Sequence, residues 1–389
     1  MIKILMVAGA SRDFMKLAPL YFELRKHPGL FHPEIVHNGQ HLDYDISEAF
    51  LKQLQLPEVD YPLEDSSGSH AYQTGAAMIE IEQVLCDHKP DMVVVFGDLN
   101  SALAAAISAA KMRIPVAHVE AGLRSYDRDM PEEINRVVSD ILADLLFTHC
   151  DNANLNLIRE GIAHEKIYLV GNIMIDTLKH FLPKSEKTVI LEKLGLSGKK
   201  YVLTTLHRPS NVDNPENLDK IVKIITSVAE RIKIVFPMHP RTRKSLENHE
   251  ACCNILQNMN IVIAEPLGYL DYLKLEKHAL AVLTDSGGVQ EETTVLGVPC
   301  LTMRESTERP VTITDGTNKL VGLNHNKIIS LIDFYLQSGR SPKRCPILWD
   351  GQTAERIVRV FAEYFSTKSE NKCEKEAITA LHQVAKVLE

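Results

Sequence analysis

The chain has 389 residues, 45% hydrophobic and 24% charged, enough for two domains with full cores and typical of a globular protein in water. Its net charge of −8 argues against nucleic acid as the main partner, so a phosphate ligand would need a locally basic site. No apolar run approaches the ~20 residues of a membrane span, and the start, Met1 to Val7, is too short for a signal peptide.

In chain order, short apolar runs predict strands at Ile2–Ala8, Glu34–His37, Met92–Val95, Val116–His118, Leu145–Thr148 and Ile167–Val170. The second half predicts six more: Tyr201–Thr205, Ile234–Pro237, Ile261–Ala264, Ala281–Thr284, Pro299–Thr302 and Lys319–Leu323. Helical patterns fill the gaps, so the units are βαβ and the sheets parallel. Six and six predict an α/β protein of two doubly wound domains, residues 1–182 and 183–365. Polar, turn-rich sequence between Leu182 and Ser197 marks the boundary. From Ser366 to Glu389 a polar tether leads into Ile378, Leu381, Ala385 and Leu388 at helical spacing, a short amphipathic helix. The seven cysteines (86, 150, 252, 253, 300, 345 and 373) are odd in number and lack metal-ligand spacing, which fits reduced thiols in a cytoplasmic protein.

Ligands of such sheets bind beyond the carboxyl ends of the strands, and with two domains the cleft between them is the natural active site. Polar residues cluster at those ends: Asp98, Glu120, His207-Arg208, His239-Pro240-Arg241, Asp285-Ser286 and Arg304. A nicotinamide enzyme would need G-x-G-x-x-G in the first turn, which here reads Ala8-Gly9-Ala10-Ser11-Arg12-Asp13, and no Walker A pattern occurs. The turn Thr284-Asp285-Ser286-Gly287-Gly288 leads from a buried strand into a helix. It exposes backbone N–H groups at the positive end of the helix dipole, a seat for phosphate. Glu291 and Glu292 follow in the first turns, where a carboxylate could bond sugar hydroxyls or simply favour the dipole. A nucleotide bound there without the usual loops points to a nucleotide sugar.

Asp98, Glu120 and Glu132 form an acidic set, and carboxylates in a closed cleft can move protons near neutrality. Of Glu132 and Glu133, one can be explained as dipole complement alone. Lys16 with Arg124, Arg136, Arg208, Arg241, Arg304 and Arg309 could neutralise a diphosphate.

Several blocks then coincide in order and spacing: Asn38-Gly39-Gln40-His41, His118 to Arg124, Pro131 to Arg136, Gly171 to Asp176, His207-Arg208 with Asn211 to Asn214, Thr284 to Glu292, and Thr307-Glu308-Arg309-Pro310. With them the chain, from Met1 to about Phe365, resembles the non-hydrolysing UDP-N-acetylglucosamine 2-epimerases. The resemblance implies two Rossmann-like domains in a GT-B-like arrangement, the last helix crossing back to the first domain. It implies inversion at C2 of UDP-GlcNAc to UDP-ManNAc, by elimination and re-addition of UDP, without a metal or redox cofactor. The product would supply cell-surface polysaccharide synthesis.

By the same resemblance Asp98, Glu120, Glu132 and His207 are the catalytic candidates. Arg12, Lys16, Arg136, Tyr272, Ser286, Gly287, Gly288, Glu292 and Arg309 are the substrate-binding ones. Gln40, His41, Gln73, Arg208 and His239 match a second, activating UDP-GlcNAc site, and a cytoplasmic homodimer built through first-domain helices is implied. Three departures fall at the cleft. Ser11-Arg12-Asp13 stands for the family's Arg-Pro-Asn, Leu99 follows Gly97-Asp98 in place of threonine, and Pro209-Ser210 replace Ala-Glu after His207-Arg208. Altered sugar specificity, or hydrolysis to free sugar and UDP, is the alternative these changes raise. A GT-B glycosyltransferase or a non-catalytic nucleotide-sugar binder would share the fold.

Overall fold

The computed structural model describes residues 1–10, 13–38, 51–64, 67–248, 255–340 and 344–368. Arg12, Gln40, His41 and the amphipathic tail segment beyond 368 lie outside the described residues.

Two parallel sheets carry the chain. The first contains β1 (Ile2–Ala8), β2 (Phe31–Asn38), β3 (Tyr61–Leu63), β4 (Met92–Phe96), β5 (Val116–Val119), β6 (Leu145–Thr148) and β7 (Ile167–Leu169). Its order is β3-β2-β1-β4-β5-β6-β7. The second contains β8 (Tyr201–Thr205), β9 (Lys233–Pro237), β10 (Ile261–Ala264), β11 (Ala281–Thr284), β12 (Cys300–Thr302) and β13 (Asn318–Leu320). Its order is β10-β9-β8-β11-β12-β13. Met92-Val-Val-Val-Phe96 is buried at every position, as a parallel strand covered on both faces must be. The alanine-rich helix Asn100–Lys111 buries five alanines, letting it approach the first sheet closely.

The first sheet has seven strands rather than the expected six. Tyr61-Pro62-Leu63 lacks an apolar run because it is a partly exposed edge strand, where proline's missing N–H leaves no ladder bond broken. The same argument starts β2 at Phe31 instead of Glu34. Pro33 pairs with Ile4 of β1 on one side, while β3 reaches β2 only from Val36 onward.

The end of the chain returns to the first sheet. Trp349 Nε1 donates to the His149 carbonyl at 2.9 Å, and Phe361 packs on Phe147 with ring centres 5.6 Å apart. Asp176 accepts from the Ala354 N–H at 2.9 Å and so caps the helix over 353–368 from across the fold. Gly171, at φ +94°, is needed where Leu348 passes, since a Cβ there would lie 2.1 Å from the Leu348 carbonyl oxygen. The helix Ile173–Ser185 joins the two halves: Phe181 meets Tyr269 edge-on at 6.1 Å, within one continuous apolar core.

Both strand orders reverse once, between β1 and β4 and between β8 and β11. A crevice opens at each reversal beyond the carboxyl ends. The two crevices supply the two walls of the site.

Candidate active site

On the first wall the chain leaves β1 through Gly9-Ala10. Buried Asp13 accepts from both of their N–H groups, at 3.0 and 3.3 Å, and starts the helix Phe14–Arg25. That helix brings Lys16 onto the carboxylate of Glu120, which follows β5. Glu120 is buried and sits at φ +70°, an unusual backbone for glutamate that turns its side chain back over the strand ends. Gly97 after β4 gives the pair room, because a Cβ there would stand 2.8 Å from Lys16 Nζ. Burial works against Lys16 as a cation, but the Glu120, Asp13 and Asp98 charges outweigh it and raise its pKa. Burial would raise Glu120, yet Lys16 and Arg309 hold it below the usual carboxylate range, with His149 adding a smaller pull.

Asp98 receives both Arg136 Nη2 at 2.8 Å and Nε at 3.0 Å. Its backbone carbonyl accepts from Asn135 at 2.9 Å. Asn135 also bonds Asn100, whose amide donates to Gln73 at 2.9 Å, so Gln73 is linked to Asp98 through two asparagines. The adjacent glutamates of the helix Pro131–Leu142 part ways. Glu133 is buried and takes the N–H groups of Ser125 and Tyr126, the Ser125 hydroxyl and Arg136. Glu132 is half-buried, and its carboxylate has no hydrogen bond or ion pair among the described residues.

The second wall carries a cluster of arginines. The helix Gly287–Leu296 begins at Ser286 without a side-chain cap, leaving its first N–H groups open. A Cβ at Gly288 would meet nothing within 4 Å, so that face of the helix start is clear. Arg309 lies beside it, with Nε 2.5 Å from Glu291, Nη1 2.5 Å from Glu308 and Nη2 3.6 Å from Glu120. Glu308 is also reached by Arg304 Nη2, at 2.8 Å, and by Arg208 Nη2, at 3.7 Å. Burial would push Glu308 up, but these three guanidiniums hold it far below its usual range. Burial lowers the Arg208 pKa, with Arg304 adding to the effect.

His207 follows β8. Its Nδ1 is 3.0 Å from Asp285, and its ring centre is 5.7 Å from that of His239. Asp285, fully buried, also accepts the N–H groups of His207 and Arg208 and the Asn211 amide. These bonds outweigh burial and keep it ionised. His239 Nδ1 caps the helix Pro240–Glu247. Glu292 accepts the Tyr269 hydroxyl at 2.8 Å, and burial pushes its pKa up to about 7.

The candidates therefore fall into three groups: Lys16, Glu120 and Arg309 in contact across the walls; Asp98 with Arg136 on the first; His207, Arg208 and His239 around Asp285 on the second. Buried polar atoms without a hydrogen bond gather here too, among them Glu120 Oε1, Glu291 Oε2, Arg304 Nη1 and the Tyr272 hydroxyl. Unpartnered buried polar atoms are costly, and a polar ligand would satisfy them. Arg124, read from sequence with the diphosphate set, is instead held by Asp140 at 2.7 Å and Glu160 at 2.5 Å within the first half. Sequence reasoning passed over His149, which is buried beside Cys150 with neither ring nitrogen satisfied. It follows β6, so the strand-end rule applied to its neighbours would have found it. Among the described residues, no three His, Cys, Asp or Glu side chains gather as a metal site, and no helix is long and apolar enough to cross a membrane.

A family model described as UDP-N-acetylglucosamine 2-epimerase matches residues 23–362. The UDP-N-acetylglucosamine 2-epimerase of Methanocaldococcus jannaschii is 44% identical over 363 residues, spanning 92% of this chain and 98% of the relative. The UDP-2,3-diacetamido-2,3-dideoxy-D-glucuronate 2-epimerase of Pseudomonas aeruginosa is 39% identical over 331 residues, spanning 84% and 90%. The crystal structure of the M. jannaschii UDP-GlcNAc 2-epimerase in complex with UDP-GlcNAc and UDP matches the fold with a TM-score of 0.85 at 43% identity, covering 93% of this chain and 100% of that one.

Proposed function

The chain belongs to the UDP-N-acetylglucosamine 2-epimerase family, and on that premise we propose that it inverts C2 of UDP-GlcNAc to give UDP-ManNAc. One observation carries the reading: Glu120 of the first wall touches Lys16 and lies 3.6 Å from Arg309, which stands beside the uncapped helix start of the second. A proton acceptor and a seat for a departing diphosphate meet at one point.

In this reading the diphosphate binds the N–H groups at Ser286, Gly287 and Gly288 and the Arg309 guanidinium. It competes for the cations that hold Glu120 low, so binding raises Glu120's basicity. C2–H is a poor acid, and its proton leaves as the C1–O bond to UDP breaks, giving a C1=C2 glycal and UDP. Re-addition of a proton to the opposite face of C2, and of UDP to C1, completes the inversion. Asp98, Glu132 and His207 are the groups we place with Glu120 for the two proton transfers, with Arg136 positioning Asp98. Closure about 182–197 and 349–353 would keep water from the glycal. A homodimer in the cytoplasm, with an activating second nucleotide sugar near Gln73, Arg208 and His239, belongs to the same proposal.

The test is incubation with UDP-GlcNAc in deuterated water. Deuterium at C2 with UDP-ManNAc formed is expected, free ManNAc with UDP would show the hydrolysing outcome, and no C2 exchange would sink the reading. A second substrate class is favoured by one finding, the relative named for a 2,3-diacetamido glucuronate sugar. Running that UDP-sugar in parallel decides between the two.

A further inference from the structure

The helix Pro131–Leu142 is packed with its polar side inward. Its buried residues are Glu133, Asn135, Arg136, Ser139 and Asp140, while Ile134 and Ile141 stand 42% and 58% exposed. A helix buries polar groups only where partners satisfy them. Asn135 and Arg136 find theirs on Asp98. Asp140 lies one turn beyond Arg136 on the same face and is 0% exposed. One of its oxygens is 2.7 Å from His118 Nδ1. The other accepts from the Gly122 N–H at 3.1 Å and pairs with Arg124 at 2.7 Å. His118, of β5, is also 0% exposed, and its Nε2 lies 2.8 Å from the Gly97 carbonyl oxygen.

Both partners of the ring are acceptors. A carbonyl has no proton to give. Burial would raise the Asp140 pKa, but His118 and Arg124 hold it below the usual carboxylate range. Both ring nitrogens of His118 therefore donate. Gly97 precedes Asp98 and sits at φ +65°. Its N–H donates to the Val119 carbonyl at 3.1 Å. The turn that presents Asp98 is thus tied to β5 through both its N–H and its carbonyl. Gly122, just after Glu120, bonds to the same Asp140 carboxylate. No step of the proposed reaction uses His118 or Asp140.

We propose that His118, donating from both ring nitrogens to Asp140 and to the Gly97 carbonyl, is a positioning residue that fixes the turn aiming Asp98 at the sugar. The inference rests on the proton-transfer role given to Asp98 above. Arg136 holds the Asp98 carboxylate, and His118 holds the peptide that precedes it. A buried carbonyl that loses its donor turns to find another, and the Gly97–Asp98 peptide would turn with it. A displacement of about 1 Å in a reacting group can cost about 10²-fold in rate.

Two substitutions separate positioning from general stability. Asparagine carries its amide at the reach of Nδ1, and glutamine at the reach of Nε2. His118→Gln therefore keeps the bond to Gly97 and gives up the one to Asp140, and His118→Asn does the reverse. Both kcat and deuterium exchange at C2 of UDP-GlcNAc, measured below each variant's melting temperature, should fall about 10²-fold in His118→Asn and far less in His118→Gln. UDP affinity should be unchanged in both, since its seat is on the second wall. Equal losses in the two variants, or a loss that lies in KM alone, overturn the inference and leave the epimerase reading standing. A wild-type protein without C2 exchange overturns both. If either variant does not fold, the wild-type protein decides. Nitrogen NMR of histidine-labelled protein near neutral pH should then show a ring protonated at both nitrogens and slow to exchange with solvent, and its absence overturns the proposal.

Discussion

The two walls solve opposite electrostatic problems. The first carries Asp98, Glu120, Glu132 and Glu133 against Lys16 and Arg136, so carboxylate is in excess. The second draws Arg208, Arg304 and Arg309 onto Glu308, so around that one carboxylate cation is in excess. They meet at Glu120 and Arg309. Proton transfer needs groups able to accept and donate, whereas a departing diphosphate needs fixed positive charge. Dividing the two between separate sheets keeps the base from being neutralised permanently by the charges that serve the leaving group.

The largest effects should come from breaking each wall at the contact. Arg309→Ala should lower kcat/KM by about 10²–10³-fold, the scale of a lost transition-state charge contact, and weaken UDP binding. Glu120→Gln should lower kcat at least ~100-fold and leave UDP affinity near normal or better, since Lys16 and Arg309 are freed. Steady-state kinetics with UDP titrations separates the two. A Glu120→Gln protein that loses UDP binding but keeps its turnover would reverse the assignment of walls.

A smaller contrast lies within the first wall. Glu133→Gln removes a buried charge that takes two backbone N–H groups, a hydroxyl and Arg136. It should cost about 3 kcal/mol of stability, seen as a Tm lower by several degrees. Glu132→Gln should leave Tm unchanged and reduce turnover at least ~100-fold. Equal Tm losses would make Glu132 a structural residue and remove it from the acid–base set.

The sequence made the sheets legible because strands buried on both faces read as continuous apolar runs, and β4 and β11 needed nothing more. It hid β3, an edge strand with a proline and no run. Strand-end placement brought Asp98, Glu120, His207 and Asp285 into view. Nothing local separates Glu132 from Glu133, because both suit a helix start. The difference comes from the loop at Ser125-Tyr126, which folds back onto Glu133. Arg124 misled for a related reason: its partners, Asp140 and Glu160, are distant in sequence.

The smallest expected effect is in the pH response of stability, where the second wall and the carboxyls behind it should differ in sign. Glu308 is held below its usual range by three arginines. Its contribution is present above the unfolded pKa of about 4.3 and is lost as pH falls toward the folded value. Glu292 is raised to about 7. Its contribution is present below the unfolded value and is lost as pH rises through about 7. Thermal melts without ligand from pH 4 to pH 8 should therefore show Glu308→Gln furthest below the wild-type protein near neutrality, the gap narrowing toward pH 4. Glu276→Gln, which removes a carboxyl that burial and Glu292 themselves hold well above the usual range, should gain on the wild-type protein as pH rises from 5 to 8. Parallel curves for all three proteins would mean that neither carboxyl group titrates differently on folding, and the contrast between the arginine cluster and the buried carboxyls behind it would fall.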